Sequence, residues 1–391
     1  MPPSATALRI GQGAILSRVL QWSIPKKDLG ILPLVLCCPV MFYPRAFDGD
    51  TQPWILLMAL IALFTFRTEQ FLSRRDLPLV FLSVLCIAVY AARAHVGFGL
   101  ARTAYTYVTF LVLWTVCQRD RGDYLSTAVK MTVVVWFIAG AWEYLLVKAG
   151  YDLSIGRYVA GRSGVPSLTP EASYYGSLSM LQLMYLLSQK GAKNGIYITC
   201  AATSVVLSGS VLAMLLLVFP LWKLRPLIRF SAAALLALLV LADFYAGSAG
   251  LVGRVSTIAS LGTGTGFASV IFDASLNLRV GHIYFTMLLN LIPELELRSP
   301  VSFMSQYNVF AAQSGVFMDT GSDYILPAIG EMLYGGGVVA LALLYVFLRR
   351  ALQRCSTMQA KVQRFIFIIA CMLNPISLSN IFLILYAQSE E

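Results

Sequence analysis

The sequence predicts an all-helical, polytopic integral membrane protein, and three observations carry that prediction. Hydrophobic residues make up 58% of the 391 and charged residues only 12%, about half the share typical of a soluble domain. Apolar runs bounded by charged or turn residues recur along the whole chain. Most of the 29 basic residues fall at alternate ends of those runs, as the positive-inside rule requires.

Taken in order, residues 8–22 place Arg9, Gln12 and Arg18 among Leu, Ile, Val and Trp, which predicts an amphipathic helix on the cytoplasmic surface. Charge and glycine break its apolar core and no small-residue cleavage site follows, so a cleaved leader is not expected. The spans read as 29–43, 54–66, 77–91, 101–117, 125–147, 173–187, 196–207, 211–222, 230–244, 324–348 and 365–386. The count is about eleven, within a range of roughly ten to twelve. Several runs fall short of the ~20 residues a perpendicular helix needs, which suits thinned bilayer or shielded helices. The stretch 195–222 reads either as one long tilted helix or as two. Lys190 and Lys193 before it and Lys223, Arg225 and Arg229 after it put both ends on one side, which favours two helices turning at Ser208, Gly209 and Ser210.

The resulting organisation is a cytoplasmic segment 1–28, a bundle 29–246 with an external loop 149–172, a large external loop 247–323, and C-terminal spans 324–391. The positive charge is therefore a topology signal, not a nucleic-acid footprint. All seven cysteines fall in spans or on the cytoplasmic side, so neither a disulfide framework nor a zinc spacing is expected.

A few arginines break the charge rule by lying on the external side, among them Arg157, Arg162, Arg254 and Arg279 beside the long loops. Their placement points to an anionic partner there. Loop 149–172 ends in Thr169, Pro170 and Glu171, followed by Tyr174 and Tyr175. Thr169 suits a helix N-cap and Pro170 the first helical position, which leaves Glu171 in the first turn. Helix-end stabilisation and acid or base chemistry are equally good readings of that glutamate.

In the large loop, Arg279, His282, Thr286 and Asn290 recur at helical spacing within an apolar stretch, so they form one polar stripe. The helix is expected to lie on the outer surface with its apolar face toward lipid or the bundle and its stripe toward a groove; a stripe facing water is the plainer reading. Arg279 supplies a fork for phosphate oxygens, and His282, one turn away, titrates near neutrality. His95, beside Arg93 in a short external loop, reads as structural. The tenth span opens with Asp319 and Asp323, then carries Glu331 and Gly335 to Gly337. Counted from Asp323, Glu331 lies roughly 12 Å deeper on the same face. At that depth it is either functional or a protonated acid bonded to a neighbouring helix.

These residues resemble a family. Arg162-Ser163-Gly164 and Pro170-Glu171-Ala172-Ser173-Tyr174-Tyr175 are similar to the loop and Pro-Glu-x-Ser-aromatic pattern of Wzy-type O-antigen and exopolysaccharide polymerases. Ser208-Gly209-Ser210 stands where that family and the related O-antigen ligases carry a Ser-Arg-Ser/Gly turn. Arg279 matches the loop arginine, and residues 329–337 resemble the span that closes the loop. Gly209 replaces the turn arginine, with Arg162 or Arg254 as the substitute, and Ser322 and Asp323 stand where the ligases have histidine.

The resemblance implies a GT-C-like architecture and a metal-independent, cofactor-free glycosyltransferase in a bacterial inner membrane, with its N-terminus cytoplasmic and its site periplasmic. Its substrates would be undecaprenyl-pyrophosphate-linked oligosaccharides, with membrane lipids and a chain-length regulator as further partners. Arg162, Arg279, Arg157 and Arg254 would hold pyrophosphate. His282, Glu171 and Asp323 are the base candidates, and Tyr174, Tyr175, Ser210 and Glu331 the acceptor or sugar contacts. An O-antigen ligase and a lipid-linked oligosaccharide flippase are the alternatives.

Overall fold

The computed structural model describes residues 53–65, 73–93, 98–119, 124–151, 164–169, 172–189, 194–217, 220, 274–291, 300–318, 327–374 and 376–390. The cytoplasmic segment 1–28, spans 29–43 and 230–244, His95, Arg157, Arg162, Glu171, Arg254, Asp319 and Asp323 lie outside the described residues.

The described residues form helices and no strand: α1 (Pro53–Thr65), α2 (Leu77–Arg93), α3 (Phe98–Arg119), α4 (Tyr124–Lys148), α5 (Ala172–Ser188), α6 (Gly195–Leu207), α7 (Val211–Leu216), α8 (Ala274–Leu291), α9 (Pro300–Ser314), α10 (Ala328–Gln353), α11 (Met358–Met372) and α12 (Ile381–Gln388). Among them, α2, α3, α4 and α10 are long and apolar enough to cross a membrane, and α1 and α6 are shorter apolar helices. Their outer faces support membrane embedding. On α2, Leu77, Phe81 and Val84 are exposed while Leu79, Ser83, Cys86 and Tyr90 are buried, and on α10 Val338, Leu341 and Tyr345 are exposed. An apolar outer face is what lipid permits and water does not.

α2 and α10 pack antiparallel, with α3 beside them. Phe110 and Trp114 of α3 meet Phe347 of α10 edge to face, at 6.0 and 5.8 Å between ring centroids. A second packed group joins α4, α5, α6 and α12. There Trp136 lies 5.8 Å from Phe382, nearly perpendicular. Residues 381–387 of α12 are buried all round, the signature of a helix at the centre of a bundle.

Two connections differ in how well the sequence foretold them. α6 ends at Leu207 and α7 begins at Val211, so the chain breaks at 208–210 as the two-helix reading expects. Gly209 takes φ +60 there, and Ser210 Oγ accepts from the Ala213 backbone N–H at 3.4 Å. The run 365–386, by contrast, is not one span. α11 ends at Met372, and Asn380 caps α12 by accepting from the backbone N–H groups of Phe382 and Leu383 at 3.0 and 3.3 Å. The chain turns back between them because residues 374–380 carry five turn-formers, Asn374, Pro375, Ser377, Ser379 and Asn380.

The hairpin returns residues 389–390 to the end where α10 finishes. Arg354 reaches Glu390 at 3.8 Å. Arg364 of α11, fully buried, donates to the Ala351 carbonyl at 3.0 Å and the Ser389 carbonyl at 2.9 Å. Its guanidinium also lies 5.0 Å from the Tyr386 ring centroid. Carbonyls at helix C-termini carry negative partial charge, so they take the place of a carboxylate.

Candidate functional site

The end of the bundle opposite Arg350 and Arg354 brings two polar groups together. In the first, residues 164–169 dock on the α6–α7 turn. The Val165 backbone N–H donates to the Leu207 carbonyl at 3.1 Å. Gly164, at φ +127, lies so close that a Cβ there would stand 2.1 Å from the Ser208 carbonyl oxygen. Only glycine fits that approach. Farther along, Ser167 sits at φ 53, a backbone region costly for a residue with a side chain. Two contacts hold it: its N–H donates to Glu143 Oε2 at 2.7 Å, and its hydroxyl to the Trp136 carbonyl at 2.9 Å. Glu143 of α4 is buried and anchors the loop; the sequence reading passed over it.

The second group gathers where α2, α3, α8 and α10 meet. Arg102 Nη2 of α3 lies 3.3 Å from Glu331 Oε1 of α10. Arg93 Nη1 of α2 donates to Asn290 Oδ1 of α8 at 2.7 Å. Asn290 Nδ2 donates in turn to the carbonyls of Thr286 at 2.8 Å and Leu333 at 3.0 Å. That second carbonyl lies just before a break in α10, where Gly337 adopts φ 56 and ψ −140. Backbone groups near a break in a membrane helix need partners from outside the helix, and Asn290 supplies one.

Asn374 joins the two groups. Its carbonyl accepts from the Ala328 N–H at 3.1 Å, and its Nδ2 donates to Ser177 Oγ of α5 at 2.8 Å.

The predicted site residues fare differently. The stripe Arg279, His282, Thr286 and Asn290 exists on α8, but its His282 and Asn290 meet α9 and α10 instead of an open groove. Val280, Tyr284, Met287 and Leu291 form the exposed face. His282 is fully buried, its ring perpendicular to Tyr307 at 4.4 Å and to Phe303 at 5.7 Å. α8 is not among the described helices long and apolar enough to cross a membrane, and burial alone lowers the His282 pKa to about 4. The imidazole is therefore neutral at pH 7 and enclosed.

Arg279 is half-buried one turn from it. Tyr174 is half-buried, whereas Tyr175 is fully buried, its hydroxyl donating to the Trp136 carbonyl at 3.0 Å. Tyr175 is thus packed in the core. Ser210 caps α7. Glu331 is not the deep acid expected from spacing: α10 begins at Ala328, so Glu331 stands in its first turn, 44% exposed and paired with Arg102.

Arg93, Arg102, Glu143 and Asn374 are the residues that sequence reading missed. For the two arginines a signal existed, since both lie on the sparsely basic side. No family model, curated protein or solved structure matches this chain.

Proposed function

We propose that this protein is a glycosyltransferase that polymerises undecaprenyl-pyrophosphate-linked oligosaccharide repeat units, for O-antigen or a related surface polysaccharide, at the periplasmic face of a bacterial inner membrane. The observation that carries this reading is the docking of Gly164 on the Ser208–Gly209 turn. In the family the chain resembles, that turn bears an arginine. Here glycine stands in its place, and in the sequence Arg162 precedes the docked residue by two positions, which makes Arg162 the proposed substitute for the missing cation.

In this mechanism Arg162 and Arg279, with Arg157 and Arg254, bind the donor pyrophosphate and stabilise the charge that grows on it. The acceptor hydroxyl oxygen bonds to the anomeric carbon as the bond from that carbon to the pyrophosphate oxygen breaks. The leaving group departs with the electron pair, and the hydroxyl proton passes to a carboxylate base. Because His282 is enclosed by aromatic rings, that role falls to Glu171, with Asp323 next. His282 then shapes the α8–α9 pair. Pyrophosphate leaves readily enough that the step needs no metal.

Elongation of a purified lipid-linked repeat unit by this protein alone, without added metal, tests the reading. Polymer is expected from the wild type and none from Arg279→Ala at equal abundance. Absence of polymer from the wild type overturns the proposal. Lipopolysaccharide profiles of a deletion strain separate the alternatives: one repeat on core marks a lost polymerase, bare core with polymer on carrier a lost ligase, and carrier trapped inside a lost flippase.

A further inference from the structure

A polar cavity of about 460 Å³ opens at the other end of the bundle, among the last turns of α3 and α10 and the start of α2. Its volume falls within the ~300–1,000 Å³ of typical ligand sites. Arg75, Arg350 and Arg354 line it, with Asp76, Trp114 and Gln118 at its side.

The one carboxylate among the lining residues is engaged by two other side chains. Asp76 is buried and accepts from Trp114 Nε1 at 3.3 Å, and the Gln118 amide, with its nitrogen toward Asp76, stands 3.3 Å from the second oxygen. Arg350 is fixed in place by donating to the Arg75 carbonyl and, at 3.4 Å, to Gln353 Oε1. Among the described residues three guanidiniums face two carboxylates, the occupied Asp76 and the exposed Glu390 that stands 3.8 Å from Arg354, which leaves the cavity with one excess positive charge. Rigid forks of this kind suit phosphate oxygens. Within two turns of the cavity the outer surface becomes apolar, with Leu77, Phe81 and Tyr345 exposed. A phosphate on a diacylglycerol could therefore sit in the cavity while its chains follow that surface. Basic pockets between membrane helices bind anionic headgroups in this manner.

We propose that this cavity is a binding site for the phosphate headgroup of an anionic phospholipid, separate from the site at the opposite end. The test is lipid retention by the purified full-length protein, read by native mass spectrometry after exchange into phosphatidylglycerol or phosphatidylcholine. Phosphatidylglycerol should be retained by the wild type and lost about tenfold or more on Arg75→Gln or Arg354→Gln, since each removes a charge-assisted bond.

Arg349→Gln removes the same charge from an exposed position on the same helix, outside the cavity, and should leave retention unchanged. Equal loss in all three variants would mean diffuse attraction and overturn the proposal. So would equal retention of both lipids. Displacement of bound lipid by millimolar inorganic phosphate would reassign the cavity to a free anion and overturn the lipid.

Discussion

Arg102 of α3 and Glu331 of α10 form an ion pair at 3.3 Å in which neither side chain is sealed from water, at 31% and 44% exposure. Exposed pairs contribute at most about 1 kcal/mol. A double-mutant cycle with Arg102→Ala and Glu331→Gln, read by unfolding in detergent, should therefore give a coupling below about 1 kcal/mol. A coupling of several kcal/mol would show the pair to be desolvated in the bilayer.

Gly337 should not tolerate a side chain. Its φ of 56 with ψ −140 belongs to glycine, and a Cβ would stand 2.9 Å from Asn290 Oδ1 and 3.0 Å from Arg93 Nη1. Gly337→Ala should cost about 1–3 kcal/mol from strain alone. Asn290→Ala should cost a similar amount by leaving the Leu333 carbonyl short of a donor. The double variant should cost less than the sum, because removing the Asn290 side chain relieves one collision. Thermal unfolding of the three proteins measures this.

His282 predicts how stability depends on pH. Its pKa in the fold, about 4, is below the ~6.5 of a free histidine. The folded state therefore holds the neutral ring, and its contribution is fully present above about pH 6.5. It is lost as pH falls toward 4, on the order of 3 kcal/mol in all. His282→Phe should flatten stability between pH 6.5 and 4 while keeping the contact with Tyr307. An unchanged pH profile in that variant would remove His282 as its source.

The loop on the α6–α7 turn should be sensitive at two points. Gly164→Ala places a methyl against the Ser208 backbone and should release residues 164–169 from the turn, speeding proteolysis there and abolishing elongation. Glu143→Gln keeps an acceptor for the Ser167 N–H and should be mild. Glu143→Ala removes it and should cost about 1–3 kcal/mol. Limited proteolysis separates the two.

What was legible in the sequence was local. Glycine between two serines marked the break after Leu207, the spacing of Arg279, His282, Thr286 and Asn290 marked one face of α8, and three glycines marked a weak point in α10. The Asn374–Pro375 pair held a turn signal as well, but the apolar length of 365–386 outweighed it, and the hairpin was missed. Long-range pairings left no trace. Nothing near Glu331 announces Arg102, 229 positions earlier, and depth counted from Asp323 failed because α10 starts only at Ala328. The face of α8 could be identified but not what it met, since packing against α9 and α10 decides whether a polar stripe sees water.

The Arg364 guanidinium draws its ligands from two separate stretches of chain, Ala351 on one side and Ala387 with Ser389 on the other. A polypeptide stopped short of Ser389 would carry a desolvated cation stripped of two acceptors, the Ser389 carbonyl and hydroxyl, a defect of about 3–5 kcal/mol. Premature termination, or a fusion tag crowding residues 389–390, should thus mark the molecule for degradation by membrane proteases, and expression vectors are better served by tags placed elsewhere.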